Sequence, residues 1–278
     1  MSVLSAEQLT GRVHSHVLET PASGCLLHPD AAAAFQGLRF QAAQSDIDLV
    51  PVSAFRSFQH QLMIWNDKFH GRRPLLDRDG RALDIGVMSE EKIVRAILLW
   101  SALPGASRHH WGTEIDLIDR AALPSGQRPQ LIPLEYSAGG IFEKLGSWLP
   151  RHCEDYGFFL PYDRDRGGVQ PEPWHLSFAP VAAQALPALT IEVLAQALRD
   201  VPLAGAPVVQ RLMAEIHARY VCAVASPGAA ALSGVELAGA AVVRRQLHDI
   251  HARYVCAVGE PSAVALAGRN ANPATRPS

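Results

Sequence analysis

Glu114-Ile115-Asp116-Leu117-Ile118 sets a carboxylate on alternate positions at the start of an otherwise apolar run. A period of two is the mark of a strand, so Ile115 and Leu117 are predicted to share one face while Glu114 and Asp116 share the other. A carboxylate on an apolar strand is costly unless it is paired or bound to a metal. Some other part of the chain must therefore bring compensating groups to this strand. The run Trp174-His175-Leu176-Ser177-Phe178 alternates in the same way and carries an imidazole.

The rest of the chain reads as helices around such strands. His28-Pro29-Asp30 leads into an Ala-rich helix with Asp30 as its cap and Phe35, Leu38 and Ala42 on one face. Ile47 to Ala54 reads as a strand, and Arg56-Ser57 turns it into a second helix with Leu62, Trp65 and Phe69 on its apolar side. Residues 71–88, rich in Gly, Arg, Asp and Pro, are expected to form a long functional loop. Ser89-Glu90-Glu91 starts a helix running to about Ala102, where Pro104-Gly105 stops it. A further helix is predicted between Ile141 and Tyr156, broken near Pro150. The fold class expected is α+β, a small antiparallel sheet with helices packed on one side.

Beyond Pro180 the composition shifts to Ala, Leu and Val with helical spacing, and a duplication follows. Ile216 to Val224 recurs identically as Ile250 to Val258, 34 residues on, and Leu203-Ala204-Gly205-Ala206 recurs as Leu237 to Ala240. Each copy has an apolar face, Val209, Met213, Ile216, Tyr220 and Val224 in the first and Val243, Leu247, Ile250, Tyr254 and Val258 in the second. Opposite it run charge ladders, Arg211-Glu215-Arg219 and Arg245-Asp249-Arg253. Two copies are too few for a solenoid. One helix is expected to dock on the main domain, and the other to pair with it or with a second chain as a homodimer. The division expected is therefore 1–185 as main domain, 186–266 as helical appendage, and 267–278, rich in Pro, Asn, Arg and Ser, as a disordered tail.

Composition narrows the partners. A formal net charge of -2 with no Lys or Arg run gives no footprint for nucleic acid or anionic lipid. No segment approaches the ~18 apolar residues of a membrane span. Polar groups from Glu7 to Glu19 interrupt the stretch where an export signal would need apolar residues. Cys25, Cys153, Cys222 and Cys256 form no C-x-x-C pair and read as mostly buried thiols.

Two clusters carry the chemistry, Ser107-Arg108-His109-His110-Trp111-Gly112-Thr113-Glu114-Ile115-Asp116 and Glu172-Pro173-Trp174-His175. Together they supply the imidazoles and carboxylates that a catalytic zinc prefers, three protein ligands with a fourth position open. Gly112 allows a sharp turn between the two candidate ligands of the first cluster. Pro171 and Pro173 bracket Glu172 and are expected to hold it extended, so that a near three-residue period brings it beside His175. His110 is an alternative ligand to His109, and Arg56 can be read as a surface ion-pair partner.

The pattern Ser-x-His-x-x-Gly-x-x-x-Asp, then Glu-Pro-Trp-His, preceded by Ser53-Ala54-Phe55-Arg56-Ser57-Phe58-Gln59-His60-Gln61, resembles the VanY and LdcB type D-alanyl-D-alanine and L,D-carboxypeptidases of the M15 metallopeptidases, relatives of the hedgehog fold. The three pieces occur in family order over roughly residues 30 to 180. The resemblance implies that His109, Asp116 and His175 bind Zn2+, that Glu172 is general base and then acid, and that Arg56 stabilises the oxyanion or contacts substrate. It also implies that Ser107 and Gln61 line the pocket for a terminal D-residue. Trp111 and Trp174 are read as walls of the cleft. Glu114 departs from the family, which usually has a small residue there, and is worth testing as a group aimed at the metal. The activity implied is removal of a terminal D-amino acid from a peptidoglycan stem peptide or muropeptide. Two alternatives are an inactive hedgehog-like binding module and an L-alanyl-D-glutamate endopeptidase. Location is expected to be cytoplasmic by the lack of a visible export signal and the cell envelope by the substrate.

Overall fold

The computed structural model describes residues 4–20 and 24–233. The second repeat copy, with His251 and Cys256, and the tail from about Ala267 lie outside the described residues. In chain order the elements are α1 (Ala6–Leu9), β1 (Leu18–Glu19), β2 (Leu26–Leu27), α2 (Pro29–Ala43), β3 (Leu49–Ser53), α3 (Phe58–Phe69), α4 (Glu90–Trp100) and β4 (Glu114–Asp119), followed by α5 (Pro133–Tyr136), α6 (Glu143–His152), β5 (Phe158–Phe159), β6 (His175–Phe178), α7 (Ala179–Ala188), α8 (Ile191–Ala197), α9 (Ala206–Ile216) and α10 (Ala229–Leu232). The architecture is α+β. An antiparallel four-stranded sheet in the order β3-β4-β6-β5 is packed with helices.

The alternation around Glu114 does form a strand, and its register decides what that strand meets. Glu114 lies opposite Ser177 and Asp116 opposite His175. Side chains directly across an antiparallel pair share a face, so Glu114, Asp116, His175 and Ser177 project together. Every residue of β4 is buried, its carboxylates included.

Local sequence sets the helix starts. The hydroxyls of Ser57, Ser89 and Thr190 accept bonds from the amides of His60, Lys92 and Val193 at the heads of α3, α4 and α8. At α2 the cap is His28, whose ring accepts from the Asp30 amide at 3.3 Å, and not Asp30. Proline favours the first helical position, so Pro29 moves the cap to the residue before it and leaves Asp30 in the first turn. Helix α4 ends at Trp100, two residues before the expected stop, and α6 ends at His152, just past Pro150.

One hydrophobic cluster runs from Phe35, Phe58 and Trp65 through Trp111 and Phe158 to Leu189, Leu194, Val209 and Ile216. Among the described residues no break in this core falls near residue 185. Helix α9 seats Val208, Val209, Met213 and Ile216 inward. Arg95 of α4 forks onto Glu215 at 2.7 and 3.0 Å, and Arg211 reaches Glu91 at 2.8 Å. Among the described residues of the expected ladders, only Glu215 and Arg219 pair within their own segment, at 2.8 Å. Where the first copy buries Val208, Val209, Met213, Ile216 and Val221, the second keeps Val242, Val243, Leu247, Ile250 and Val255. The exposed Pro207, Gln210 and Ala214 become Ala241, Arg244 and His248. Apolar residues thus recur at every position the first copy buries, with Leu247 in place of Met213, while exposed positions are mixed, since Arg211, Ala218 and Arg219 recur unchanged as Arg245, Ala252 and Arg253.

Candidate metal centre

Three elements converge on one point. Strand β4 supplies Asp116, β6 supplies His175, and a 3-10 turn over Arg108–Trp111 supplies His109. Gly112 closes that turn at φ +69, in the left-handed region that favours glycine. A Cβ there would overlap the Val17 side chain and press on the His28 backbone nitrogen at 2.9 Å. Gly112→Ala is therefore expected to cost about 1–3 kcal/mol through backbone strain, read as a lowered melting temperature of the purified protein.

One donor atom each from His109, Asp116 and His175 lies within 4.8 Å of the others, and all three residues are buried. Each imidazole is oriented by its second nitrogen. His109 Nδ1 sits 2.7 Å from the Ala54 carbonyl oxygen, so it carries the proton and donates. That leaves the lone pair of Nε2 facing Asp116 Oδ2 at 3.3 Å. His175 turns Nδ1 toward Asp116 Oδ1 at 2.9 Å and Nε2 toward Glu114 Oε2 at 2.7 Å. Burial opposes ionisation of Asp116, but the flanking His109 and His175 hold its carboxyl far below the usual range. His110 faces away. Its Nε2 accepts from the Gly105 amide at 3.1 Å, so Nδ1 must donate to the Arg56 carbonyl oxygen at 2.6 Å.

Glu172 stands against the same point, with Oε2 3.3 Å from His175 Nδ1. The path that brings it there is a tight turn, not the extended run expected from the flanking prolines. The His175 amide donates to the Glu172 carbonyl at 3.1 Å, and the Glu172 amide donates to the Tyr162 carbonyl at 3.0 Å. Pro173 occupies the second position of that turn, where its fixed φ is favoured. Burial pushes the Glu172 carboxyl up to about 7, against the pull of His175 and with the Asp116 charge adding to the push. A carboxyl so placed exchanges protons near neutrality.

These groups open into a cleft of about 400 Å³ whose lining includes Arg56, Ser107, Glu172, Trp174 and the three candidate ligands. Arg56 donates to Gln61 Oε1 at 2.8 Å and to Ser53 Oγ at 3.1 Å, so its guanidinium is held by neutral groups, and among the described residues no carboxylate bonds to it. It is half-buried in the cleft and forms no ion pair among the described residues, so it is not the surface ion-pair partner it could have been. Gln61 is fully buried behind Arg56, with its amide on the Ala102 carbonyl at 2.7 Å, and does not line the cleft; nor does Trp111, which is buried in the core with its indole donating to the Leu9 carbonyl. The spacing of Gln61 from Arg56 along the chain set proximity but not the side from which it approaches.

Sequence reasoning missed Lys68, Arg73, Trp100 and Tyr162, which also line the cleft. Arg73 belongs to the long loop after α3, and the Trp100 indole ties that loop down by donating to the Asp77 carbonyl at 3.0 Å. Lys68 lies in the last turn of α3 with no local pattern to mark it. Burial lowers its ammonium to about 8, with Arg56 and Arg73 adding to the shift against the attraction of Glu172. Among the described residues nothing accepts a hydrogen bond from it.

The family described as VanY: D-alanyl-D-alanine carboxypeptidase matches residues 24–181. An uncharacterized protein of Haemophilus influenzae is 37% identical over 121 residues, which is 43% of this chain and 92% of that protein. A solved structure of VanYB in complex with D-alanine-D-alanine is 18% identical, with a TM-score of 0.43 over 65% of this chain and 87% of the other. A structure of the LdcB LD-carboxypeptidase is 19% identical, with a TM-score of 0.44 over 70% and 78% of the two chains.

Proposed function

This chain belongs to the VanY family of D-alanyl-D-alanine carboxypeptidases, matched over residues 24–181, and from that premise we propose that it is a zinc-dependent carboxypeptidase removing a terminal D-amino acid from peptidoglycan stem peptides. The observation that carries this reading is the convergence of His109, Asp116 and His175 within 4.8 Å, beside a carboxyl poised to exchange protons. The donor set fits zinc. Two imidazoles and one carboxylate are a catalytic zinc set, each imidazole anchored by the nitrogen that faces away from the others; His109 presents a lone pair, and His175 would give up the proton it shares with Asp116 on binding the ion. When bound, zinc supplies Lewis acidity, acidifying water and polarising a carbonyl oxygen.

The protein's own groups account for the rest of the reaction. Glu172 takes a proton from the attacking water and returns it to the departing nitrogen, so the scissile C–N bond breaks with a neutral amine leaving in place of an amide anion. Arg56, its guanidinium bonded to Gln61 and Ser53, is held ready to donate to the carbonyl oxygen as negative charge gathers there. Trp174 and Tyr162 wall the cleft. The presence of Glu172 favours turnover over a binding module that has lost catalysis.

Exopeptidase action requires recognition of a free carboxylate. Arg56, Lys68 and Arg73 line the cleft together, and the Lys68 ammonium is free to meet an anion. The test is incubation of the zinc-loaded protein with tetrapeptide and pentapeptide stems, as free acids and as C-terminal amides, followed by mass spectrometry. Loss of one terminal residue from a free acid, with the amides resistant, is the expected result; internal cleavage overturns the reading. Lys68→Met is expected to raise KM for the free acid roughly 10- to 100-fold, the loss of a charged hydrogen bond, with kcat affected less.

A further inference from the structure

Glu114 is fully buried yet does not line the cleft, so it touches no substrate. It is also not a fourth member of the ligand cluster. His175 stands between two carboxylates, with Asp116 on Nδ1 and Glu114 on Nε2. Every Glu114 oxygen is engaged. Oε1 accepts from Ser177 Oγ at 2.7 Å and Thr113 Oγ1 at 2.9 Å, and Oε2 faces His175 Nε2 at 2.7 Å and Arg108 Nε at 3.3 Å. Arg108 also donates to Ser177 Oγ at 2.6 Å, so that hydroxyl accepts from the arginine and passes its own proton toward Glu114. The carboxylate is thus fixed from four sides.

We propose that Glu114 is a positioning residue for the metal site, holding the outward nitrogen of His175 so that the inward nitrogen faces the ion. The inference rests on the zinc reading above. His109 is oriented by a neutral backbone carbonyl, that of Ala54; His175 is oriented by a charged acceptor. A charged acceptor binds the N–H more strongly and makes the imidazole a better donor at its other nitrogen. The strand period built the device, because Glu114 and Asp116 lie two residues apart and face Ser177 and His175 in register. Arg108 offsets the buried charge, which would otherwise be costly.

The test compares wild type with Glu114→Gln and Ser177→Ala by zinc competition against a chelator and by the visible absorption of the cobalt-substituted proteins. Thermal melting of the metal-free proteins reports the fold separately. Glu114→Gln keeps the volume and loses the charge. It is expected to weaken zinc binding about 10- to 100-fold and to shift the cobalt bands, an effect a purely structural role would not produce. Ser177→Ala removes one bond to Glu114 and is expected to weaken zinc binding roughly three- to tenfold. It decides the matter if Glu114→Gln does not fold. Zinc affinity within twofold of wild type, with unchanged cobalt bands, in a folded Glu114→Gln overturns the proposal; so does an unchanged Ser177→Ala where Glu114→Gln does not fold. A wild-type chain that takes up no zinc overturns the zinc reading as well, so the two failures are told apart.

Discussion

Glu172→Ala is expected to lower kcat about 10²- to 10⁴-fold, the usual worth of a positioned general acid-base group, while zinc content stays at the wild-type level. The separation of the two readouts follows from the geometry. Glu172 approaches His175 Nδ1 only at 3.3 Å, whereas Asp116 and Glu114 hold that ring at 2.9 and 2.7 Å. Removing Glu172 leaves the ligand set oriented and takes away the group that moves the proton. KM is expected to change less than kcat, because Arg56, Lys68 and Arg73 remain in the cleft. A Glu172→Ala protein that loses its zinc would make this carboxyl a ligand instead of a base.

Asp116→Ala is expected to act on the other term. Its carboxylate faces both imidazoles, His109 Nε2 at 3.3 Å and His175 Nδ1 at 2.9 Å, so it is the one group both candidate ligands share. Loss of an outer partner of a ligand costs about 10- to 100-fold in metal affinity, and loss of the ligand itself is expected to exceed about 100-fold. Zinc per chain and hydrolysis should fall together, and excess zinc should restore little activity. Hydrolysis at wild-type rate from a zinc-free Asp116→Ala protein would remove the metal from the account.

Much of this centre was legible because short-range rules govern its parts. Alternation along residues 114–118 placed Glu114 and Asp116 on one face, and the left-handed turn at Gly112 was readable from the glycine itself. The path of Glu172 was not. Flanking prolines exclude helix but leave both extended chain and turn open, and the choice rests on the Glu172 amide reaching the Tyr162 carbonyl, a contact no local pattern announces. Gln61 shows the same limit, since motif spacing brought it near Arg56 but could not say that it packs behind the guanidinium. Lys68 left no trace because a lysine in the last turn of a helix is an ordinary cap to the dipole.

The orientation of Glu114 is the clearest case. Its sequence neighbourhood suggested a group aimed at the metal, whereas the structure turns it to the far side of the His175 ring. That outcome depends on the register between β4 and β6, and a slip of one residue would move every side chain of one strand to the opposite face. Register is set by pairing over the whole sheet, so it cannot be read from either strand alone. The Arg211 side chain makes the same point at the surface, where it passes over its neighbour Glu215 on α9 to reach Glu91 on α4.

Crystals grown with zinc, with diffraction recorded on both sides of the zinc absorption edge, address the centre itself. The expected result is one anomalous peak per chain, about 2.0–2.2 Å from His109 Nε2, an Asp116 oxygen and His175 Nδ1, with Glu114 still on His175 Nε2. A zinc peak elsewhere, or none between those two imidazoles at saturating metal, would contradict the account.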